Sequence, residues 1–462
     1  MKSIIPALLA LCLSIILIGC HEPDKPRLHK VIIIGAGISG LEAASVLKAN
    51  NIDVIILEAR NRIGGRILTT TMDGANTDLG AAWLHDIDNN VLTTLANNVG
   101  VPLIPTPYNP SDVAIYDTGV LVNPSIVNTI YSYAPALLTS LLNLQYASCG
   151  AFSDAIDCFI QANIPPGPVI PYALYFYNVT NASWFAANTN YVSSTVGPFV
   201  LNPGSDALPT NGYTNFINKI FNINSLNIKL NTIVNKIDYS NNEVVISTNQ
   251  GKYRAKYVIV TVPIGVLKTN AIKFVPNLPQ DKLLAIQHIG FGQFNKVYLQ
   301  FNASFWDNSL TLTLPYTSNP LSNYYMIFNI GKFVNKPILA VLNFGDFATA
   351  LEQLSDSEII NSVMQQIRLI YPTAPDPVSY QITRWGLDPF SNGAYTYPTT
   401  VTTAEDYNNL ITPVQNKLFF AGEAVNPVVL GSSMNKSGTA DAAYTSGQNA
   451  GNKIVTIING TR

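Results

Sequence analysis

Charge is what this sequence has least of: Asp, Glu, Lys and Arg make up 12% of its 462 residues, against roughly 25% in an ordinary soluble domain, and the net charge is −2. A chain so nearly neutral has no basic footprint for a nucleic-acid backbone. Its solvent-facing polarity must come from Asn, Ser, Thr and Gln. Histidine and cysteine are scarce as well, four of each, and none of them cluster at metal-ligand spacing, which argues against a structural zinc. Cys149 and Cys158 can pair in an exported chain. If "CGAFSDAIDC" were helical throughout, they would lie too far apart to bridge, so the sequence leaves both readings open. Long apolar runs are also missing. The longest, "IIPALLALCLSIILI", has 15 residues, too few to cross a bilayer as a helix.

That run follows Lys2 and ends at Gly19–Cys20. A short basic start, an apolar stretch and a small residue before a cleavage point describe a secretory signal over residues 1–19. The ending "LIGC" is similar to the bacterial lipobox, in which the cysteine is lipid-modified and becomes the first residue. An ordinary signal peptide and a buried helix are the alternatives. The lipobox reading makes Cys20 a lipidation site, residues 20–29 a polar tether, and the cell envelope the location, with the membrane reached through the lipid alone.

The remaining length suits two or three domains with large cores. Lys30–Ile34 reads as a buried strand, followed by a glycine turn, a helix and a second strand, "DVIILEA" (53–59), which is the start of a Rossmann-type unit. Residues 111–209, rich in Tyr, Pro, Asn and Ser and poor in periodicity, read as an insertion. Residues 230–263 alternate apolar and polar positions between two turns, as in a small antiparallel unit ending in "YVIVTV". A mixed section (290–400), a buried strand (417–424) and a helix (438–458) complete the chain.

Gly35, Gly37 and Gly40 form G-x-G-x-x-G between that first strand and helix. The first glycine permits the turn, the second admits a pyrophosphate, and the third lets helix and strand pack closely. Glu58 ends the next strand, where an acid suits a ribose diol. "EARNRIGGR" then adds Gly64, Gly65 and Arg66, more than a nicotinamide site needs, with Arg66 suited to a pyrophosphate.

With these two motifs the chain resembles the flavin-containing amine oxidase family over most of residues 30–458. The resemblance implies an α/β fold: a Rossmann-type, GR2-like FAD-binding domain (30–110, 210–289 and 400–462) with an interleaved α+β substrate-binding domain (111–209 and 290–399). It adds Ser39, Ala59 and Arg60 to the cofactor-binding residues. "LGAAWLH" resembles the segment beside the flavin ring, with Ala82 and Trp83. "LNTIVNKIDY" resembles the adenine-holding segment, with Val234. "RWGLDPFSNGAYTYP" resembles the block that supplies Trp385 and Tyr395. "LFFAGEAV" and "GTADAAYTSGQNAG" resemble the C-terminal flavin clasp, with Glu423, Gly438, Thr439 and Ala440. A helix starting near Gly438 would also turn its positive dipole end toward the cofactor.

Departures from the family pattern refine these expectations. Ala394 stands where the monoamine oxidases have their flavin-linking cysteine, so non-covalent FAD is expected. Thr439 replaces an aromatic, which would leave Tyr395 as one wall of a wider site. Asp441 places an acid in the first helical turn. His85, at a place matched by a histidine in some polyamine oxidases, is a candidate contact for a distal nitrogen, with Asp86 adding negative charge. No arginine is placed by motif to clamp an α-carboxylate. The expected reaction is oxidation of an amine C–N bond to an imine with O2 reduced to H2O2, with a polyamine-like substrate favoured. An L-amino-acid oxidase, a flavin dehydrogenase and a non-catalytic envelope flavoprotein are the alternatives.

Lys296 is the least decided residue. In "GFGQFNKVYLQF" alternation sets Val297, Leu299 and Phe301 on one face and Phe294, Lys296, Tyr298 and Gln300 on the other, and neither face is clearly wet. The family resemblance makes Lys296 the lysine that reaches flavin N5 through a water, and so a catalytic residue with Tyr395 and His85.

Overall fold

Four consecutive β-branched residues, Val31–Ile34, form the centre of the parallel part of a mixed sheet, with both faces of their strand covered. The computed structural model describes residues 26–195, 206–316, 325–425 and 437–460. The signal sequence, Cys20 and most of the tether lie outside the described residues. Strand Leu28–Ile34 pairs in parallel with Val54–Leu57 on one side and Gly251–Val260 on the other. Val31 and Ile33 enter the core under helices Ile38–Ala49 and Ala440–Gly460. Ile32 and Ile34 enter the opposite core with Val258, Val260 and Tyr407.

One long strand, Gly251–Val260, changes neighbours along its length. Its first half pairs antiparallel with Val244–Thr248, completing the alternating unit read from the sequence. Its second half lies beside Leu418–Phe420, in parallel. The strands ending at Ile34, Leu57, Val260 and Phe420 therefore release their following loops at one edge of the sheet. This carboxyl edge is where open α/β sheets bind ligands. The two covering helices pack so closely that a Cβ on Gly447 would lie 2.1 Å from the Ser39 carbonyl oxygen.

A second sheet has the order 379–382, 294–300, 338–344, 325–328, 312–316, 113–117, 120–121. Helix Asp356–Ile370 covers one face, against Val297, Leu299 and Val341. Helices Pro124–Leu142, Phe152–Asn163 and Val169–Phe185 share a core with the other, against Tyr298, Leu314 and Leu342. The stretch that shows little periodicity is thus largely helical. Helix Val169–Phe185 buries five residues in succession, Tyr175–Val179, so it has no polar face to mark a 3.6-residue period.

Cys149 and Cys158 are joined in a disulfide, with Cα atoms 6.7 Å apart. The intervening run is not one helix. Cys149 ends a short turn, Gly150 takes φ +125°, and the helix starts at Phe152. That break brings the cysteines within reach of each other.

Candidate active site

A cavity of about 550 Å³ opens at the carboxyl edge of the first sheet and continues onto the second. Every catalytic or cofactor-binding residue named from the sequence lines it except Gly40, which lies behind the glycine turn. Gly35 makes that turn at φ +107°. Gly37 precedes helix Ile38–Ala49, whose first turn has no acidic residue and no side-chain cap, so its N–H groups remain available to an anion. A Cβ on Gly37 would meet no protein atom within 4 Å, whereas one on Gly65 would be 3.4 Å from the Gly37 Cα. This leaves room for a pyrophosphate against two stretches of bare backbone. Glu58 Oε2 accepts from Ala36 N at 2.6 Å and Oε1 from Arg60 N at 2.8 Å. These bonds hold the carboxylate in the cavity wall with lone pairs left for a ribose diol. Ser39, Ala59 and Val234 complete this end.

Arg66 has a protein partner. Its guanidinium donates to Glu423 at 2.8 Å and to the Ala394 carbonyl at 2.7 Å, so the charge expected to meet a pyrophosphate is already met by Glu423. Glu423 also accepts from the Thr396 hydroxyl. Arg60 is paired with Asp388 at 2.8 Å. The C-terminal helix begins at Ala440, preceded by Gly438 and by Thr439, whose hydroxyl accepts from Ala442 N at 3.3 Å.

Lys296 is buried, with 4% of its surface exposed. Its Nζ donates to the carbonyls of Asp78 and Gly80, both at 2.7 Å, and lies 5.3 Å from the Trp83 ring centre. Burial pushes its pKa down to about 8, against the attraction of Asp78. Tyr298 Oη also donates to the Asp78 carbonyl, at 2.8 Å, and Trp385 Nε1 donates to that of Leu79, at 3.0 Å. Three side chains thus hold the backbone of residues 78–80 beside the cavity. The Trp83 indole N–H is buried there with no hydrogen-bond partner in the protein. Tyr395 donates to the Ser183 carbonyl at 2.6 Å, and its ring is tilted against Phe294. Burial keeps its phenol neutral.

The acid beside His85 is Asp206, not Asp86. His85 Nδ1 lies 2.9 Å from Asp206 Oδ2, and Asp206 Oδ1 accepts from the backbone N–H of Asp86 at 3.3 Å. The Asp86 side chain accepts from Asn89 instead. Asp206 lines the cavity with Tyr108, Tyr131, Phe176 and Trp184. The His85 and Trp184 rings meet edge to face at 4.7 Å.

Open space at Gly37, an uncapped helix start, a fixed acid and an unpartnered indole N–H fit a dinucleotide with an aromatic ring system at its far end. The family model for flavin-containing amine oxidoreductases matches residues 38–165 and 172–455. The chain belongs to this family, is an amine oxidoreductase and uses FAD. It is 34% identical over 439 residues to probable polyamine oxidase 4 of Arabidopsis thaliana, covering 91% of this chain and 86% of that protein. It is 32% identical to polyamine oxidase 3 of Oryza sativa subsp. japonica, covering 93% and 90%. A lysine-specific histone demethylase 1 homolog of Arabidopsis thaliana is 30% identical, covering 86% of this chain and 49% of that protein. Both cysteines among the described residues are joined to each other, so neither is a thiol for tethering a flavin, in keeping with Ala394 before Tyr395.

Proposed function

We propose that this protein oxidises a secondary or primary amine of a polyamine-like substrate, with O2 and water as co-substrates and an aldehyde, H2O2 and an amine (from a secondary amine) or ammonia (from a primary one) as products. The observation that carries the polyamine reading is the Asp206–His85 pair, an acid set among aromatic rings in the same cavity as Lys296 and Tyr395. Bound FAD, which the Gly35–Gly37 turn, Glu58 and Gly65 would hold, would supply the two-electron acceptor for the C–H next to nitrogen and the route for those electrons to O2.

The chain's own residues prepare the amine. The buried Lys296 cation, in the same lining as Tyr395, Phe294 and Trp385, disfavours a second positive charge, so the reacting nitrogen is held as the free base. A second nitrogen of the same molecule stays protonated beside the Asp206 carboxylate, where aromatic faces also favour a cation. Lys296 Nζ, with two bonds directed at carbonyls, has capacity left to orient the water that hydrolyses the imine. Both arginines in the cavity wall are already ion-paired, with Asp388 and Glu423. Neither is available for an α-carboxylate, which favours amines over amino acids. Residues 30–110, 210–289 and 400–462 are assigned to the cofactor and residues 111–209 and 290–399 to the amine, a division supported by the two sheets.

The reading predicts that polyamines bleach the visible flavin band without air and that re-aeration restores it with one H2O2 per amine oxidised. Bleaching without peroxide on re-aeration would point to another electron acceptor, and bleaching only by amino acids would overturn the substrate assignment. Asp206→Asn should raise KM for a triamine by about tenfold or more, the worth of one charged hydrogen bond, and leave KM for a monoamine within about twofold. Equal effects on both amines would remove Asp206 from substrate recognition. For location, the "LIGC" sequence supports lipid on Cys20. Labelled fatty acid should enter the wild-type protein and not Cys20→Ala, and incorporation into neither would sink the anchor.

A further inference from the structure

A buried polar network outside the cavity joins two residues that line it. Glu352 follows helix Gly345–Leu351 and is 4% exposed. Its carboxylate accepts from Asn295 Nδ2 and Gly386 N, both at Oε2 and both at 3.1 Å, and from the backbone N–H of Leu387. The partnerless Gln293 Oε1 lies beside the same Gly386 Cβ position as Glu352 Oε1. Neighbouring Arg384 bonds the carbonyls of Glu352 and Leu354 and pairs with Asp356, so its charge attracts the carboxylate without a direct ion pair. Burying a carboxylate without a paired cation is costly, and a hydrophobic residue would fill the same space more cheaply.

The geometry indicates what the carboxylate does. With its NH2 held by Glu352, Asn295 must turn its carbonyl the other way. That Oδ1 accepts from Trp385 N at 3.0 Å and from the Thr383 hydroxyl at 3.1 Å. Thr383 Oγ1 in turn accepts from Lys296 N at 2.8 Å. A flipped Asn295 would set an oxygen against the carboxylate and an NH2 against the Trp385 N–H. The packing allows little slack, because a Cβ on Gly386 would lie 1.9 Å from Glu352 Oε1.

We propose that Glu352 is a positioning residue of the active site: its carboxylate fixes the orientation of Asn295, which holds Trp385 and Lys296 in register along the cavity wall. This rests on the cavity being the FAD and amine site. Trp385 lies three residues beyond strand 379–382 and Lys296 lies in the neighbouring strand 294–300, and Asn295 ties the turn that carries Trp385 to the strand that carries Lys296.

The test uses four FAD-loaded proteins: wild type, Glu352→Gln, Asn295→Asp and the double variant. Glutamine at position 352 places an NH2 among donors, and aspartate at position 295 sets two carboxylates together. In the double variant the introduced glutamine donates its NH2 to the introduced aspartate, whose carboxylate still accepts from Trp385 and Thr383. Gly386 N shares Oε2 with Asn295, so it loses its acceptor when the glutamine turns its NH2 to position 295. Each single variant should change the visible spectrum of the bound flavin. Each should also lower the rate of anaerobic reduction per bound flavin by about tenfold or more, the scale of a small misplacement, with KM within about twofold. The double variant restores the 352–295 contact and should recover the spectrum and regain at least about threefold in rate over either single variant. Single variants with wild-type spectrum and rate overturn the proposal, as does a loss confined to Tm and flavin content that the double variant does not reverse in rate. If no amine reduces the wild-type flavin, the oxidase reading fails, and the spectra alone decide for or against Glu352.

Discussion

Lys296→Met should slow O2 consumption by the reduced enzyme by on the order of a hundredfold, the usual consequence of removing a preorganised charge from an active site, while FAD remains bound. Lys296 lines the part of the cavity walled by Trp83, Trp385 and Tyr395, and water is largely excluded from its surroundings. A cation in such a place interacts strongly with negative charge that develops as O2 is reduced. Its bonds to the Asp78 and Gly80 carbonyls keep it in position in advance of the reaction. Methionine has similar length and no charge. It removes a buried cation, which favours folding, and leaves the Gly80 carbonyl without its donor, which opposes it, while the Asp78 carbonyl keeps the Tyr298 hydroxyl, so Tm near pH 7 should move by only a few degrees. Stopped-flow mixing of the reduced protein with O2 provides the measurement. Oxygen kinetics like those of wild type would make the lysine a structural clamp for residues 78–80.

The lowered pKa of Lys296 gives a second, independent readout. Its value is about 8 in the folded protein, against 10.5 for an ordinary lysine. Between those limits the unfolded chain binds a proton that the folded chain does not, so this residue makes stability rise with pH across the window. The difference in stability between wild type and Lys296→Met should therefore shift in favour of wild type as pH increases from about 8 to about 9.5. A pH-independent difference would mean that Lys296 titrates normally.

The features legible in the sequence were those written in short range. The glycine turn, the acid after the next strand and the alternation through residues 230–263 each depend on neighbours a few positions apart. Lys296 shows where that stops. Both faces of its strand are covered, one by helix Asp356–Ile370 and the other by the core that borders the cavity, so alternation had no wet side to report. Asp206 and Glu352 were not legible. Each is a single acid with no motif around it, and their partners His85 and Asn295 lie 121 and 57 residues away. Arg66 was legible as a site residue but its partner was not, because Glu423 is 357 residues further on. The chemistry of a side chain is local, whereas the group that satisfies it is chosen by the fold.

Alanine at Gly37 and at Gly40, three residues apart in one motif, should fail in different ways. At Gly40 the new Cβ would lie 2.0 Å from the Gly35 carbonyl oxygen. That atom is backbone and cannot rotate away, so helix Ile38–Ala49 must move off its strand, at a cost of about 1–3 kcal/mol or more. Gly40→Ala should lower the Tm of the FAD-free protein and weaken FAD binding with it. At Gly37 the backbone is already ordinary for alanine, with φ −70°, and the Cβ meets no protein atom within 4 Å. Alanine restricts the unfolded chain there, which stabilises by about 0.4–1 kcal/mol. The FAD-free Gly37→Ala protein should therefore melt at the wild-type temperature or slightly above it. Its methyl group enters the space left for the pyrophosphate, and FAD affinity should drop between about tenfold and a hundredfold. Differential scanning calorimetry of the FAD-free proteins and flavin titration separate the two cases. If Gly37→Ala bound FAD as tightly as wild type, the pyrophosphate would not lie against this turn, and the assignment of the glycine motif to the cofactor would fall with it.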